Sequence, residues 1–155
     1  MHATAPPMVL DAELEQIEKY EFSLRYPDHP YGPMMVDEPP PAGADRGPSP
    51  TQALAAAVGH CMSSTLYNSL ERAHFPAKSL RTTVRAEVGR NAKGRQRVLR
   101  LAVTIETAPL HEADRERFDH CVAIFADYCT VSGAVREGIA IESVVHPPAA
   151  APPSE

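Results

Sequence analysis

The spacing of apolar residues along the chain predicts where its strands and helices lie. Apolar and polar residues alternate over residues 20–26 and along two runs within residues 79–107, which a turn at Asn91–Gly94 separates. Alternation of this kind buries one face of a strand, so we predict a strand at residues 20–26 and a long hairpin over residues 79–107. Two further strands are predicted at Met34–Val36 and Ile139–Val145.

A long helix is predicted from Pro50 to about Ala73. Ser49 suits the N-cap, proline suits the first helical position, and Gln52 can complete a capping box. No Asp, Glu, Lys or Arg occurs from Pro50 to Leu70, so the helix must be covered on most sides. Its hydroxyl, amide and imidazole groups are too many for a membrane span. One sheet covers only one side of a helix, and we therefore predict a homodimer with the long helices at its centre.

Two more helices follow the predicted hairpin. The first covers about residues 112–128, and its apolar face has helical spacing: Phe118, Cys121, Val122 and Phe125. The second runs from about Thr130 to Glu137, where Gly138 is a suitable C-terminal stop. Strands, a long helix, a hairpin, two helices and a last strand make an α+β fold.

Length and composition fit one domain. The 155 residues carry a formal net charge of −5, which disfavours a nucleic-acid partner. Prolines and small residues are concentrated at both ends, so we expect a flexible N-terminus over 1–16, one domain over 17–145 and a flexible tail over 146–155. The first residues lack the pattern of a signal peptide. We therefore expect a cytoplasmic protein whose thiols are kept reduced.

Three cysteines are the candidate reactive residues. Cys129 lies where a short helix begins, and free backbone N–H groups there favour a thiolate and a lowered pKa. Cys61 lies within the uncharged helix, where a cysteine by itself is more often a packing residue. Cys121 shares the apolar face of the second helix and is interpreted as packing. Two cysteines at helix positions that can meet indicate redox chemistry.

Metal and nucleotide chemistry have little support. Neither Cys-x-x-Cys nor His-x-x-x-His occurs in the sequence, so we predict no metal site. The glycines within residues 32–47 lie in a proline-rich segment and do not form a phosphate-binding loop.

Two segments resemble the OsmC/Ohr family. From Asp37 to Cys61, a loop rich in Gly and Pro leads into a helix of small residues that carries a cysteine. The segment Tyr128-Cys-Thr-Val-Ser-Gly-Ala-Val is similar to the family's second motif, a cysteine followed by a short helix. Both motifs occur in the family's order, with a hairpin between them, and the resemblance covers about residues 17–145.

The resemblance implies an intertwined homodimer with long central helices against curved antiparallel sheets. It also implies thiol-dependent reduction of organic or fatty-acid hydroperoxides without a cofactor. Cys61 would attack the peroxide and become a sulfenic acid, and Cys129 would close a disulfide with it. A dithiol or lipoyl-type protein would be the reductant, and neither nucleic acid nor membrane would be a partner.

The sequence departs from the family's pattern at two places. Well-studied members carry a Glu near the start of the long helix that orders an arginine, but Thr51 and Gln52 stand there in this chain. Arg25 and Arg46 are both candidates for that arginine, and no local motif favours either. Thr130 replaces the usual proline after the second cysteine. We therefore expect modest peroxidase activity, and a protein that only binds an apolar ligand at the dimer cleft is the alternative.

Overall fold

The computed structural model describes residues 6–75 and 79–146. Its elements follow the order of an α+β chain. The described residues contain five strands: β1 (Glu13–Glu18), β2 (Glu21–Arg25), β3 (Met34–Val36), β4 (Leu80–Arg90) and β5 (Gln96–Thr107). They also contain three α-helices: α1 (Pro50–Arg72), between β3 and β4, and α2 (Arg115–Phe125) and α3 (Thr130–Glu137), after β5. Single turns of 3-10 helix at Glu112–Asp114 and Ala126–Tyr128 flank α2.

The first sheet is antiparallel and has the order β1-β2-β3. Phe22 lies opposite Gln16 on β1 and Val36 on β3. The strand predicted at residues 20–26 and its short partner at Met34–Val36 are confirmed, but β1 was not predicted. It occupies part of the segment expected to be a flexible N-terminus, and its three acidic residues obscure the alternation typical of a strand. This expectation is corrected, since Glu13 already pairs with Arg25.

The buried face of β2 differs from the prediction. Tyr20 and Tyr26, expected to face the core, are exposed, while Phe22 and Leu24 are half-buried. Glu21, on the opposite face, is the buried residue of this strand. Alternation in the sequence correctly predicted a strand, but it did not predict that Glu21 would be the most buried residue of that strand.

The predicted hairpin is confirmed. Strands β4 and β5 pair antiparallel from Leu80↔Thr107 to Arg90↔Gln96. Asn91 accepts hydrogen bonds from the backbone N–H groups of Lys93 (3.0 Å) and Arg95 (3.1 Å) through its side-chain oxygen. This side-chain contact closes the turn and fixes the register of the two longest strands.

Helix α1 begins as predicted. The Ser49 hydroxyl accepts a hydrogen bond from the Gln52 N–H, and the Gln52 side chain accepts one from the Ser49 N–H. Gly59 lets the helix approach β4 closely, because a Cβ atom there would lie 2.6 Å from a methyl carbon of Val84. The hairpin thereby covers one side of the first half of α1.

The second half of α1 holds the core. Leu66 and Leu70 pack with Cys121 of α2, and Phe118 and Phe125 surround them. The predicted helix over 112–128 is therefore present, with α2 at its centre and a 3-10 turn at each end. Helix α3 has the predicted bounds, and Gly138 follows it with a positive φ of 83°.

The strand predicted at Ile139–Val145 is not formed in the single chain. This segment makes no ladder with another strand, and its apolar side chains are exposed, with Ile141 and Val145 each at 90%. Strand pairing requires a neighbouring edge, and residues 6–75 and 79–146 of the single chain place none beside this segment. Most of the predicted flexible tail, residues 147–155, lies outside the described residues, as do residues 1–5.

Within the described ranges, the structure contains no helix both long and apolar enough to cross a membrane. The longest helix, α1, instead lies against β4, α2 and α3.

Candidate active site

Two helix positions bring the candidate thiols together. Cys61 lies near the middle of α1, and Cys129 is the N-cap residue of α3. Their Sγ atoms are 3.1 Å apart, and both thiols are free. A disulfide bond is about 2.05 Å long, so a movement of about 1 Å would join them. The structure therefore places the two predicted residues at one site.

The two sulfurs differ in access. Cys61 is half-buried, whereas Cys129 is only 2% exposed. The backbone N–H of Val131 lies 3.5 Å from the Cys61 Sγ and donates to it. A solute can therefore reach Cys61 more readily than Cys129, and a negative charge on Cys61 has a backbone donor beside it.

Several groups determine the acidity of Cys129. Burial acts to raise the pKa of this thiol, but hydrogen bonds from the Ser132 hydroxyl, the Cys61 thiol and the Ser132 N–H outweigh burial. The Thr65 hydroxyl adds a smaller contribution in the same direction. The pKa of Cys129 consequently lies below the ordinary thiol value, in the direction predicted for a cysteine at a helix start.

Sequence reasoning missed the two hydroxyl groups at this site. Thr65 lies one helical turn after Cys61 and donates to the Cys61 carbonyl oxygen at 2.8 Å. Ser132 lies three residues after Cys129, in the first turn of α3. Both spacings bring a hydroxyl back over its cysteine on a helix, and this periodicity was the signal that could have found them.

The third cysteine lies elsewhere. Cys121 is 4% exposed and packs with Leu66 and Leu70. Its thiol is 3.7 Å from the carbonyl oxygen of Ser69. This environment agrees with its interpretation as a packing residue.

Each of the two candidate arginines pairs with a carboxylate. Arg46 pairs with the buried Glu21 at 3.1 Å, and Arg25 pairs with the exposed Glu13 at 3.3 Å. Neither arginine is among the groups that shift the pKa of Cys129 in this chain.

A largely apolar groove lies beside the cysteine pair. Its volume is about 520 Å³, and Ser132, next to Cys129, is one of its wall residues. Helix α1 and strand β5 contribute most of its lining, and Val135 and Arg136 of α3 also line it. An apolar molecule could therefore lie between α1 and β5.

Across residues 6–75 and 79–146, no three His, Cys, Asp or Glu side chains are grouped so that they could hold a metal ion.

Comparisons with known proteins agree with this architecture. A family model described as OsmC-like protein matches residues 43–144, which include both cysteines. The fold is similar to an OsmC-like protein of unknown function from Vibrio cholerae, with a TM-score of 0.68 and 12% identity over 83% of this chain and 94% of that one. A comparison with curated proteins found no significant match.

Two further structures carry a functional description. An organic hydroperoxide resistance protein from Elizabethkingia anophelis matches with a TM-score of 0.65 and 18% identity, over 86% of this chain and 91% of that chain. Another such protein, from Legionella pneumophila, matches with a TM-score of 0.63 and 16% identity, over 85% of this chain and 92% of that chain. At these identities the likeness concerns the fold.

Proposed function

The chain belongs to the OsmC-like protein family, and from this premise we propose that it is a thiol-dependent peroxidase for organic hydroperoxides. The observation that carries the proposal is the 3.1 Å separation of two free thiols that differ in exposure. One sulfur is accessible for attack, and the other is held beside it for the following step. Structural relatives described as organic hydroperoxide resistance proteins support the choice of substrate class.

The first step uses the accessible sulfur. The Cys61 thiolate attacks the distal peroxide oxygen, the O–O bond breaks, and the alkoxide takes up a proton to leave as an alcohol. Cys61 is thereby oxidised to a sulfenic acid. The Val131 N–H, 3.5 Å from the Cys61 sulfur, can donate a hydrogen bond to the attacking thiolate.

The second step uses the buried sulfur. The Cys129 thiolate attacks the Cys61 sulfenic sulfur, the S–O bond breaks, and the oxygen leaves as water after protonation. The product is a Cys61–Cys129 disulfide, and an external dithiol returns both cysteines to thiols. The short distance between the sulfurs favours this step over further oxidation of Cys61.

The partner in the assembly is a second copy of the chain. Proteins of this family are typically homodimers. The uncharged helix α1 has exposed positions on one side, including Ala56 and His60, and the apolar segment Ile139–Val145 is also exposed. A dimer would cover such surfaces, which a single folded chain rarely leaves open.

A thiol count tests the peroxidase proposal directly. Reduced protein is mixed with cumene hydroperoxide, and free thiols are measured against time. We expect two of the three thiols to disappear rapidly in the wild-type protein, while Cys61→Ser retains both of its remaining thiols under the same conditions. A wild-type protein that keeps all three thiols at a large peroxide excess would exclude peroxidase activity.

A second candidate function is binding of an apolar ligand without turnover. The groove of about 520 Å³ beside α1 supports this alternative. It does not explain why two cysteines from distant parts of the chain meet. Retention of all thiols together with saturable binding of a fluorescent fatty acid would favour it over the peroxidase.

A further inference from the structure

The groove between α1 and β5 combines an apolar lining with two arginines. Its volume of about 520 Å³ lies within the range of cavities that hold small organic ligands, about 300–1,000 Å³. The apolar lining comes from both elements: Leu54, Val58 and Met62 from α1, and Val98, Leu101 and Val103 from β5. Val58 is only 3% exposed, so the groove reaches the buried face of α1.

Backbone carbonyl groups, rather than a carboxylate, orient Arg136 in the groove. Its Nε–H donates to the Ser132 carbonyl oxygen at 3.2 Å, and its Nη2 donates to the Ala126 carbonyl oxygen at 2.9 Å. No carboxylate of residues 6–75 and 79–146 forms an ion pair with Arg136. A guanidinium group has five N–H donors, so these two bonds fix the side chain and leave donors for a further acceptor.

The second arginine of the groove already has a partner. The Nη1 atom of Arg100 lies 3.3 Å from the carboxylate of Glu87, its neighbour on β4. Arg136 is therefore the cation of the groove that an anionic ligand can pair with. Its side chain is exposed, so a charged headgroup beside it stays in contact with water while an attached chain extends toward Val58.

We propose that the groove binds a free fatty acid, with the acyl chain between α1 and β5 and the carboxylate paired with Arg136. An acyl chain suits the apolar lining, and a guanidinium group matches the two oxygens of a carboxylate. The inference goes beyond the proposed peroxidase, because a saturated fatty acid contains no peroxide and binds without a reaction at the thiols. It assigns a ligand-binding role to a residue outside the cysteine pair.

The chain and the charge of the ligand contribute separately to the affinity. Each methylene group removed from water strengthens binding by up to about fourfold, so decanoate should bind more tightly than octanoate. An exposed ion pair contributes up to about fivefold, so loss of the Arg136 charge should weaken decanoate by about this factor. Decan-1-ol has the same chain length without the charge, and its affinity should not depend on the arginine.

The first test compares the wild type with Arg136→Met and Arg97→Met as full-length, reduced proteins. Isothermal titration calorimetry measures the binding of decanoate and decan-1-ol, with decanoate kept below the concentration at which it forms micelles. Arg97 is also an exposed arginine, on β5, but it lies outside the groove lining. Arg97→Met therefore controls for the general loss of one positive charge.

We expect Arg136→Met to bind decanoate about fivefold more weakly than the wild type and to retain its affinity for decan-1-ol. Arg97→Met should resemble the wild type with both ligands. An equal loss of both ligands in Arg136→Met would show that Arg136 only holds α3 in place through the Ala126 and Ser132 carbonyl groups. That result would overturn the proposal, as would equal affinities for octanoate and decanoate.

A second pair of variants tests where the ligand lies. Leu99 lines the groove and is 56% exposed, so a polar side chain is tolerated there. Leu99→Glu should bind decanoate more weakly than Leu99→Gln, because only the first repels a carboxylate, whereas decan-1-ol should bind both variants alike. Equal decanoate affinity in the two variants would place the ligand elsewhere and overturn the proposal.

Absence of decanoate binding to the wild type would also overturn the proposal, and it is the result expected if a second copy of the chain covers the groove. None of these measurements uses a peroxide. Their failure would leave the proposed peroxidase unaffected, and failure of the thiol count with cumene hydroperoxide would leave the fatty-acid site unaffected.

Discussion

The Sγ atoms of Cys61 and Cys129 lie 3.1 Å apart although 68 positions separate the residues in the sequence. One thiol belongs to the middle of the long helix α1, and the other is the N-cap of the short helix α3. The contact joins an accessible sulfur to a buried one. Oxidation of one thiol therefore occurs within reach of the other.

This contact predicts which disulfide forms. Mild treatment of the reduced protein with an organic hydroperoxide should yield a Cys61–Cys129 bond and leave Cys121 as a free thiol, because Cys121 is buried among Leu66 and Leu70. Free thiols are blocked by alkylation and the peptides are mapped by mass spectrometry. Cys129→Ser is the matched control, which should form no intramolecular disulfide. A main product that contains Cys121 would contradict the assignment.

A second prediction concerns assembly. The chain should be a stable dimer at micromolar concentration, because Ile141 and its apolar neighbours are exposed in the single chain. Ile141→Asp should shift the equilibrium toward monomer, since a charge would have to be buried at the interface. Met8→Asp, at an equally apolar position of the N-terminal segment, is the control. A mass near 16.8 kDa for the wild type in light scattering would exclude the dimer.

The helices were more predictable than the sheets. Helix ends depend on local signals in the sequence. The α1 capping box of Ser49 and Gln52 and the α3 C-cap at Gly138 both lie at the predicted positions. The pairing of a strand depends on a neighbour that no local pattern reveals. Strand β1 was therefore missed among its acidic residues, and Ile139–Val145 was assigned a strand that the single chain does not form.

The cysteine pair was predictable only in part. Helix positions and the family resemblance singled out Cys61 and Cys129, and the structure brings their sulfurs into contact. The neighbouring hydroxyls escaped notice, because Ser and Thr are common and become informative only when their partners in space are known.

A third prediction concerns the loop that leads into α1. The carboxylate of the buried Asp37 accepts hydrogen bonds from the N–H groups of Glu38 (2.8 Å), Ala44 (2.9 Å) and Arg46 (3.2 Å). Burial acts to raise the pKa of Asp37, but these backbone hydrogen bonds and the Arg46 charge lower it further than burial raises it. The loop is therefore held by the ionised form of one side chain.

The sign of the pH effect follows from the lowered pKa. The contribution of Asp37 to the free energy of unfolding is complete above the ordinary pKa of 3.8 and is lost as the pH falls through its lower folded value. Asp37→Asn should be less stable than the wild type at neutral pH, and the difference should shrink in acid. Urea unfolding followed by circular dichroism measures both proteins. Asp11→Asn, at an exposed position, is the control, and a difference that grows in acid would contradict the prediction.

The last prediction concerns the carboxylate that is missing near the start of α1. An arginine beside Cys61 would favour its thiolate, and a carboxylate would hold that arginine in place. Gln52 already accepts the Ser49 N–H at 2.8 Å, and a Glu can make the same capping contact. Gln52→Glu should therefore leave the helix start intact while it adds a charge that attracts an arginine.

We expect Gln52→Glu or Thr51→Glu to speed the oxidation of Cys61 at neutral pH. A fivefold increase corresponds to about 1 kcal/mol in the barrier, the size expected when a charged acceptor replaces a neutral one. Stopped-flow kinetics with an organic hydroperoxide measure the rate, and Cys61→Ser in each background is the blank. The candidate arginines are tested in the Gln52→Glu background, where Arg46→Met or Arg25→Met should remove the gain if that residue supplies the charge. If the wild type is already fast and both Glu variants are slower, the hydrogen-bond donors around the two sulfurs activate Cys61 without an arginine–carboxylate pair.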